Sequence, residues 1–170
     1  MINVYEQVDR NRRRSVLVMV VFVLFVFTVG FVLSRALGFG LTGAGLALIF
    51  AGLMSFVSYY WGDKIILSLS RARPADKERD FHFFTVAENL AMAAQIPQPA
   101  LYVIDDSAPN AFATGRDPKH AVVCATTGLL QKLDRTELEG VVAHELSHIK
   151  NFDTRLMAVV AILAGMVTLM

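Results

Sequence analysis

The segment VVAHELSHIKNFD, Val141 to Asp153, carries two histidines four residues apart, with a glutamate directly after the first. On a helix, residues four apart project from one face, one turn apart. The imidazoles of His144 and His148 could then both reach one zinc ion at about 2.0–2.1 Å. Glu145, turned about 100° from His144 on a helix of 3.6 residues per turn, could sit beside the ion without being a ligand. Zinc held there would lower the pKa of a water from about 15.7 toward about 7. Glu145 would accept that water's proton as general base and later deliver a proton to a leaving amine. Peptide hydrolysis is the reaction this arrangement serves most often. The competing structural reading is a helix whose histidines only form hydrogen bonds.

The residues upstream predict how that helix is placed. Asp134 is a candidate N-cap, and Glu137, three residues on, completes a capping-box pattern. Leu138, Val141, Val142, Leu146 and Ile149 supply the apolar positions that would hold it against a core. Farther upstream, Phe84, Ala87, Leu90, Ala91 and Ala94 predict one packed face of a helix that ends at Pro97 and Pro99. LYVI, AFATG and HAVVCATTG read as short strands, with RDPK as the turn between the last two.

Composition adds a membrane to this picture. The 170 residues are 55% hydrophobic with a mean hydropathy of +0.50, which is high for a soluble globule. A net charge of +1 does not suggest nucleic acid or an acidic substrate. Ser15 to Ser34 is a charge-free run of 20 residues, and 27 more uncharged residues separate Arg35 from Asp63. Roughly 20 apolar residues cross a hydrocarbon core. Transmembrane segments are therefore expected over about 15–36 and 41–62, within a hairpin at 15–66. Tyr59, Tyr60 and Trp61 close the second run as an interfacial aromatic belt would. A cleaved signal peptide fits the first run less well, because its apolar stretch is too long and a second one follows at once.

Basic residues suggest the orientation. Arg10, Arg12, Arg13 and Arg14 precede the first run; Lys64, Arg71, Arg73, Lys77 and Arg79 follow the second. Lys and Arg stay on the cytoplasmic side during insertion, so residues 1–14 and everything after Lys64 are expected there. Residues 67–80 read as a juxtamembrane linker, 81–155 as a cytoplasmic domain, and Leu156 to Met170 as the start of a third transmembrane segment. The single cysteine, Cys124, lies in an apolar β-like run and reads as a buried, inert thiol. His82 and His120 read as exposed or turn-bonded.

HELSHIKNFD followed by an apolar run, together with PNAFATG and ATTGLL upstream, resembles the HtpX family of membrane-bound zinc metalloproteases. The resemblance extends over essentially the whole chain. It implies an α+β membrane protein: a two-helix transmembrane hairpin, then a zincin-like cytoplasmic domain, then the start of a third transmembrane helix. It implies zinc as cofactor, with His144 and His148 as metal ligands and Glu145 as the catalytic glutamate. Asn110, Ala111, Phe112, Ala113 and Thr114 match a segment expected to form the edge strand of the substrate cleft, where strand addition would hold an extended peptide. The same residues could equally form a packed strand with no such role.

Asn151 and Asp153 also match the family pattern. Asn151 is seven residues from His144, on nearly the same helical face, and could support a ligand from the second layer. Asp153 falls about 180° from His144 if the helix continues, which favours a helix-end or membrane-boundary role. The family's third ligand is a glutamate well downstream of the histidines, and none is found before Met170. The likeness is therefore to the N-terminal part of such proteins, and a fragment of this extent is expected to be inactive alone. The expected setting is a multi-pass protein of the bacterial cytoplasmic membrane, with a cytoplasmic active site. Its expected partners are the lipid bilayer and misfolded membrane-protein or unfolded-protein substrates, not nucleic acid. A non-catalytic membrane adaptor that retains the helix is the alternative.

Overall fold

The structure, a computed structural model, describes residues 4–168; residues 1–3 and 169–170, at the ends of the expected N-terminal segment and third span, lie outside the described residues. The elements in chain order begin with α1 (Val4–Ala36) and α2 (Gly40–Leu69), followed by β1 (Arg73–Pro74) and α3 (Phe81–Ala94). Next come β2 (Ala100–Ile104), β3 (Ala111–Thr114), a 3-10 turn (Pro118–His120) and β4 (Val122–Thr126). Three helices close the described chain: α4 (Thr127–Lys132), α5 (Arg135–Lys150) and α6 (Asp153–Thr168).

The first two helices form a hairpin turned at Gly38, whose φ of +78° lies in the left-handed region that favours glycine. The helices approach so closely at Gly30 that a Cβ there would meet the Ala47 Cβ at 2.3 Å. Both are long and apolar enough to cross a membrane, and both turn most of that surface outward. Leu17, Leu24, Leu33, Leu46, Ile49 and Leu53 are all exposed. Phe22, Val26 and Ala51 instead face α6 and bury Val159 and Leu163. The helices outrun the expected 15–36 and 41–62 limits at several ends, because apolar composition marks a span but does not stop a helix. α1 includes all four basic residues of Arg10–Arg14, and α2 continues past Trp61.

Beyond α2 the chain builds a four-stranded sheet in the order β1-β2-β4-β3. β2 and β4 run parallel; β1 and β3 are antiparallel edges. Strand alternation sends Leu101, Val103, Val123 and Ala125 into a core with α3 and α5. Tyr102, Ile104, Val122 and Cys124 point the other way, onto Leu67 near the end of α2. β4 is covered on both faces, which explains its unbroken apolar run. Asp134 and Glu137 form the expected capping box, each side chain accepting the other's backbone N–H at 2.8 and 3.0 Å.

Three local details differ from the expectations. The predicted linker contains β1, in which Arg73 pairs with Val103 and Pro74 with Tyr102; proline is tolerated there because the strand is an edge. Behind it, Arg73 donates to Asp80 at 2.9 Å, and Asp80 also accepts the Asp76 N–H at 2.9 Å. Burial works to raise the Asp80 carboxyl pKa, but the guanidinium and the amide outweigh it and hold it below the ordinary value. In α3, Phe83, Val86, Ala87 and Ala91 are buried while Phe84 and Leu90 are only half-buried. The inward face is thus rotated slightly from the expected one. Finally, Thr127–Lys132 is helical, capped by the Thr126 hydroxyl, which accepts the Leu129 N–H.

Candidate metal centre

Leu138, Val142, Leu146 and Ile149 are buried on the inner face of α5 and fix its rotation. His144 is left exposed, with Glu145 and His148 half-buried. The imidazoles converge: their Nε2 atoms are 3.2 Å apart and the rings meet edge to face. Two ligands about 2.0–2.1 Å from a tetrahedral zinc ion lie about 3.3 Å from each other. The pair therefore fits two positions around one such ion with little movement. Among the described residues no cluster of three His, Cys, Asp or Glu side chains completes the set.

The turn after α5 decides how His148 is held. Asn151 caps the helix with αR backbone, and Phe152 follows with φ of +60°, a left-handed conformation uncommon outside glycine. The helical phase is broken there, so α6 starts afresh at Asp153. That break brings the Asp153 carboxylate back to His148, with Oδ2 3.1 Å from Nδ1. A carboxylate that accepts from Nδ1 would leave the Nε2 lone pair for a metal ion. The supporting position expected of Asn151 is thus taken by Asp153. Asn151 instead contributes its backbone carbonyl, which accepts from the Asn11 side chain at 3.0 Å.

A cleft of about 320 Å³ runs beside this helix. Ala111, Phe112, Ala113 and Thr114, the whole of β3, line it together with Glu145 and His148. Met157, Ala158, Ala161 and Ile66 complete the wall. β3 is an edge strand, pairing among the described residues through β4 alone in the register Ala111 with Ala125 and Thr114 with Val122. The Thr114 hydroxyl is buried and has no hydrogen-bond partner among the described residues. Asn110 lies outside the cleft lining. Its backbone is pinned to Thr126, donating to the hydroxyl and accepting the N–H, both at 2.9 Å.

Comparison with known proteins joins this geometry to a family. Residues 77–170 match the model of peptidase family M48. The chain belongs to that family. Among curated proteins, it is 46% identical over 166 residues to a "Protease HtpX homolog" of Thermoanaerobacter pseudethanolicus, covering 98% of this chain and 56% of the relative. A protein of the same name from Dictyoglomus thermophilum is 42% identical over 166 residues, covering 98% and 55%. Another from Streptococcus thermophilus is 38% identical over 167 residues, covering 98% and 56%. The chain spans little more than half the length of these relatives. The M48 match runs from α3 through β2, β3, β4, α4 and α5 to the described part of α6, and leaves out α1, α2 and the edge strand β1.

Several residues that shape the site gave no signal in the sequence. Asn11, on α1, donates to both the Asn151 carbonyl and the Asp153 carboxylate from 140 and 142 residues away. Thr154, also buried, donates to the Gly115 carbonyl at 3.1 Å and so ties the start of α6 to the end of β3. Gly115 has φ of +129°, and a Cβ there would come within 2.3 Å of the His120 carbonyl. Arg155 and Arg116 stack on Tyr59 and Tyr60, at 4.8 and 5.4 Å from the ring centroids. The aromatic residues at the end of the second apolar run thus contact both the sheet domain, through Arg116, and the start of α6, through Arg155. Cys124 is fully buried, and burial pushes its thiol up to about 12; His120 bonds Asp117 within the turn at 2.8 Å.

Proposed function

We propose that this chain carries the proteolytic centre of a zinc-dependent membrane endopeptidase. The observation that carries the reading is the convergence of the His144 and His148 Nε2 atoms to 3.2 Å, beside a cleft walled by an edge strand. Zinc, when bound, would act as a Lewis acid on the scissile carbonyl and make water nucleophilic near neutral pH. The protein's own groups do the rest. His144 and His148 would hold the ion, and Asp153, facing His148 Nδ1, would orient that imidazole. Glu145 takes the proton of the attacking water and returns it to the departing amine. β3 would receive an extended peptide by strand addition, which reads backbone more than side chains. The alanines of the cleft wall leave room for small apolar side chains. We infer that the third protein ligand comes from the portion that the relatives possess beyond the matched length.

The outward-facing apolar surface of α1 and α2 supports insertion of the hairpin in a lipid bilayer. The flanking basic residues favour a cytoplasmic N-terminus and site in the bacterial inner membrane. Misfolded membrane proteins and unfolded chains are the substrates consistent with backbone reading at that location.

The reading is tested with Glu145→Gln in the full-length gene product. Zinc content should stay at the wild-type level while cleavage of an unfolded membrane substrate falls at least about 100-fold, in the range expected for loss of a general base. Unchanged cleavage would remove Glu145 from its role. A wild-type protein that neither binds zinc nor cleaves would favour the adaptor. Orientation is tested by a reporter fused after Arg79, which should register as cytoplasmic; a periplasmic signal would reverse the topology.

A further inference from the structure

The α5–α6 turn, Asn151 to Asp153, is clasped from outside by the N-terminal part of α1. Asn11 is 6% exposed, and its amide donates to the Asn151 carbonyl at 3.0 Å and to Asp153 Oδ1. The other oxygen of that carboxylate, Oδ2, faces His148 Nδ1 at 3.1 Å. Next to Asn11, the Arg12 guanidinium lies 4.4 Å from the centroid of Phe152, the residue with left-handed backbone. Ser15, one turn along α1 and fully buried, donates to the Asn11 carbonyl at 2.9 Å. One amide group thus spans the turn and orients the carboxylate that orients the imidazole.

We propose that Asn11 is a positioning residue for the metal centre, holding Asp153 in the one rotamer that accepts from His148 Nδ1. The proposal rests on the reading of His148 as a metal ligand. Freed from Asn11, the carboxylate can rotate toward solvent, and His148 then loses both its fixed ring plane and its fixed tautomer. The link also makes the first apolar helix part of the site. Seating of α1 against α6 and grip on the metal become one coupled property.

The test uses the full-length protein in detergent or lipid nanodiscs. Zinc release to a chelator and the visible spectrum of the cobalt-substituted protein are read for wild type, Asn11→Ala, Asp153→Ala and the double variant. Groups behind a metal-ligating histidine typically matter by 10- to 100-fold in metal affinity. Asp153→Ala should speed release by about that range, and Asn11→Ala, one step farther out, by about 5- to 10-fold. The cobalt spectrum should shift in both. The double variant should release no faster than Asp153→Ala, because the Asn11 effect passes through Asp153. Asn11→Asp, nearly isosteric, sets two carboxylates against each other and should release at least as fast as Asn11→Ala. It supplies the same readout if the alanine variant does not fold. Wild-type release from Asn11→Ala or Asn11→Asp, or a full additional effect in the double variant, overturns the proposal. If wild type binds no zinc at all, the metalloprotease reading fails first; if it holds zinc and Asn11 is indifferent, only the positioning role fails.

Discussion

The helical bundle of α1, α2 and α6 and the sheet domain of α3, α5 and β1–β4 solve the burial problem in opposite directions. In the sheet domain the large apolar residues are inside: Phe83, Val103, Val123, Val142 and Ile149 are all at most 1% exposed. In the bundle they are mostly outside. Leu17 is 60% and Leu24 58% exposed, while contacts between the helices depend on small residues such as Gly30 and Ala51. The first pattern follows from water as the solvent, which drives apolar surface inward. The second is the pattern that the proposed membrane setting would produce, since in apolar surroundings only close packing draws helices together. The histidine pair, His144 and His148, lies on the sheet-domain side of this divide. The group that orients one of them is anchored from the bundle side.

The sharpest way to break this contrast is to delete one large apolar side chain on each of its two sides. Phe83→Ala should destabilise the protein by about 3–5 kcal/mol, the usual cost of emptying an aromatic site in a core. Leu24→Ala, on the outer face of α1, should leave the stability of the sheet domain within about 0.5 kcal/mol, as surface changes do. Pulse proteolysis in denaturant, with cleavage sites scored in α3 and α5, measures both. Equal effects would mean that the outer face of α1 is packed against protein after all.

A smaller effect sharpens the boundary between the regions. The Arg73–Asp80 pair closes the segment that joins α2 to α3, with the Asp80 side chain 7% exposed. The folded Asp80 carboxyl lies below its unfolded value of about 3.9. As pH falls, the unfolded chain binds this proton first, so acid favours unfolding. The contribution is full above the unfolded value and is lost as pH falls through the folded one. Asp80→Asn should therefore reduce stability modestly at neutral pH and flatten the acid limb below about pH 4, read from thermal unfolding against pH. An acid limb identical to wild type would mean that the latch does not close in solution.

Legibility in the sequence followed the range of the forces involved. The capping box of α5, its buried face and the i, i+4 histidine pair are decided within two or three helical turns, and each could be read locally. The two apolar runs were equally plain, although the ends of their helices were not. The phase of α3 slipped slightly because Phe83 and Phe84 are both apolar, and only the packed core chooses between them. Arg73–Pro74 became a strand because β2 offered an edge to pair with, which composition does not record. Asn151 and Asp153 exchanged expected roles for a comparable reason. The reckoning by helical angle assumed a continuous helix, and the left-handed Phe152 ended it.

The sequence by itself determined the chemistry on offer: two imidazoles and a carboxylate at helical spacing, an apolar hairpin, and a short β-rich domain between them. These depend on residue type and local periodicity, which survive in one dimension. Tertiary structure alone decided which groups meet. It brought β3 to the wall beside Glu145, Thr154 to Gly115, and Asn11 across about 140 residues to the carboxylate behind His148. Contacts of that separation leave no trace in spacing, because they arise only when helices and sheet close on a shared core.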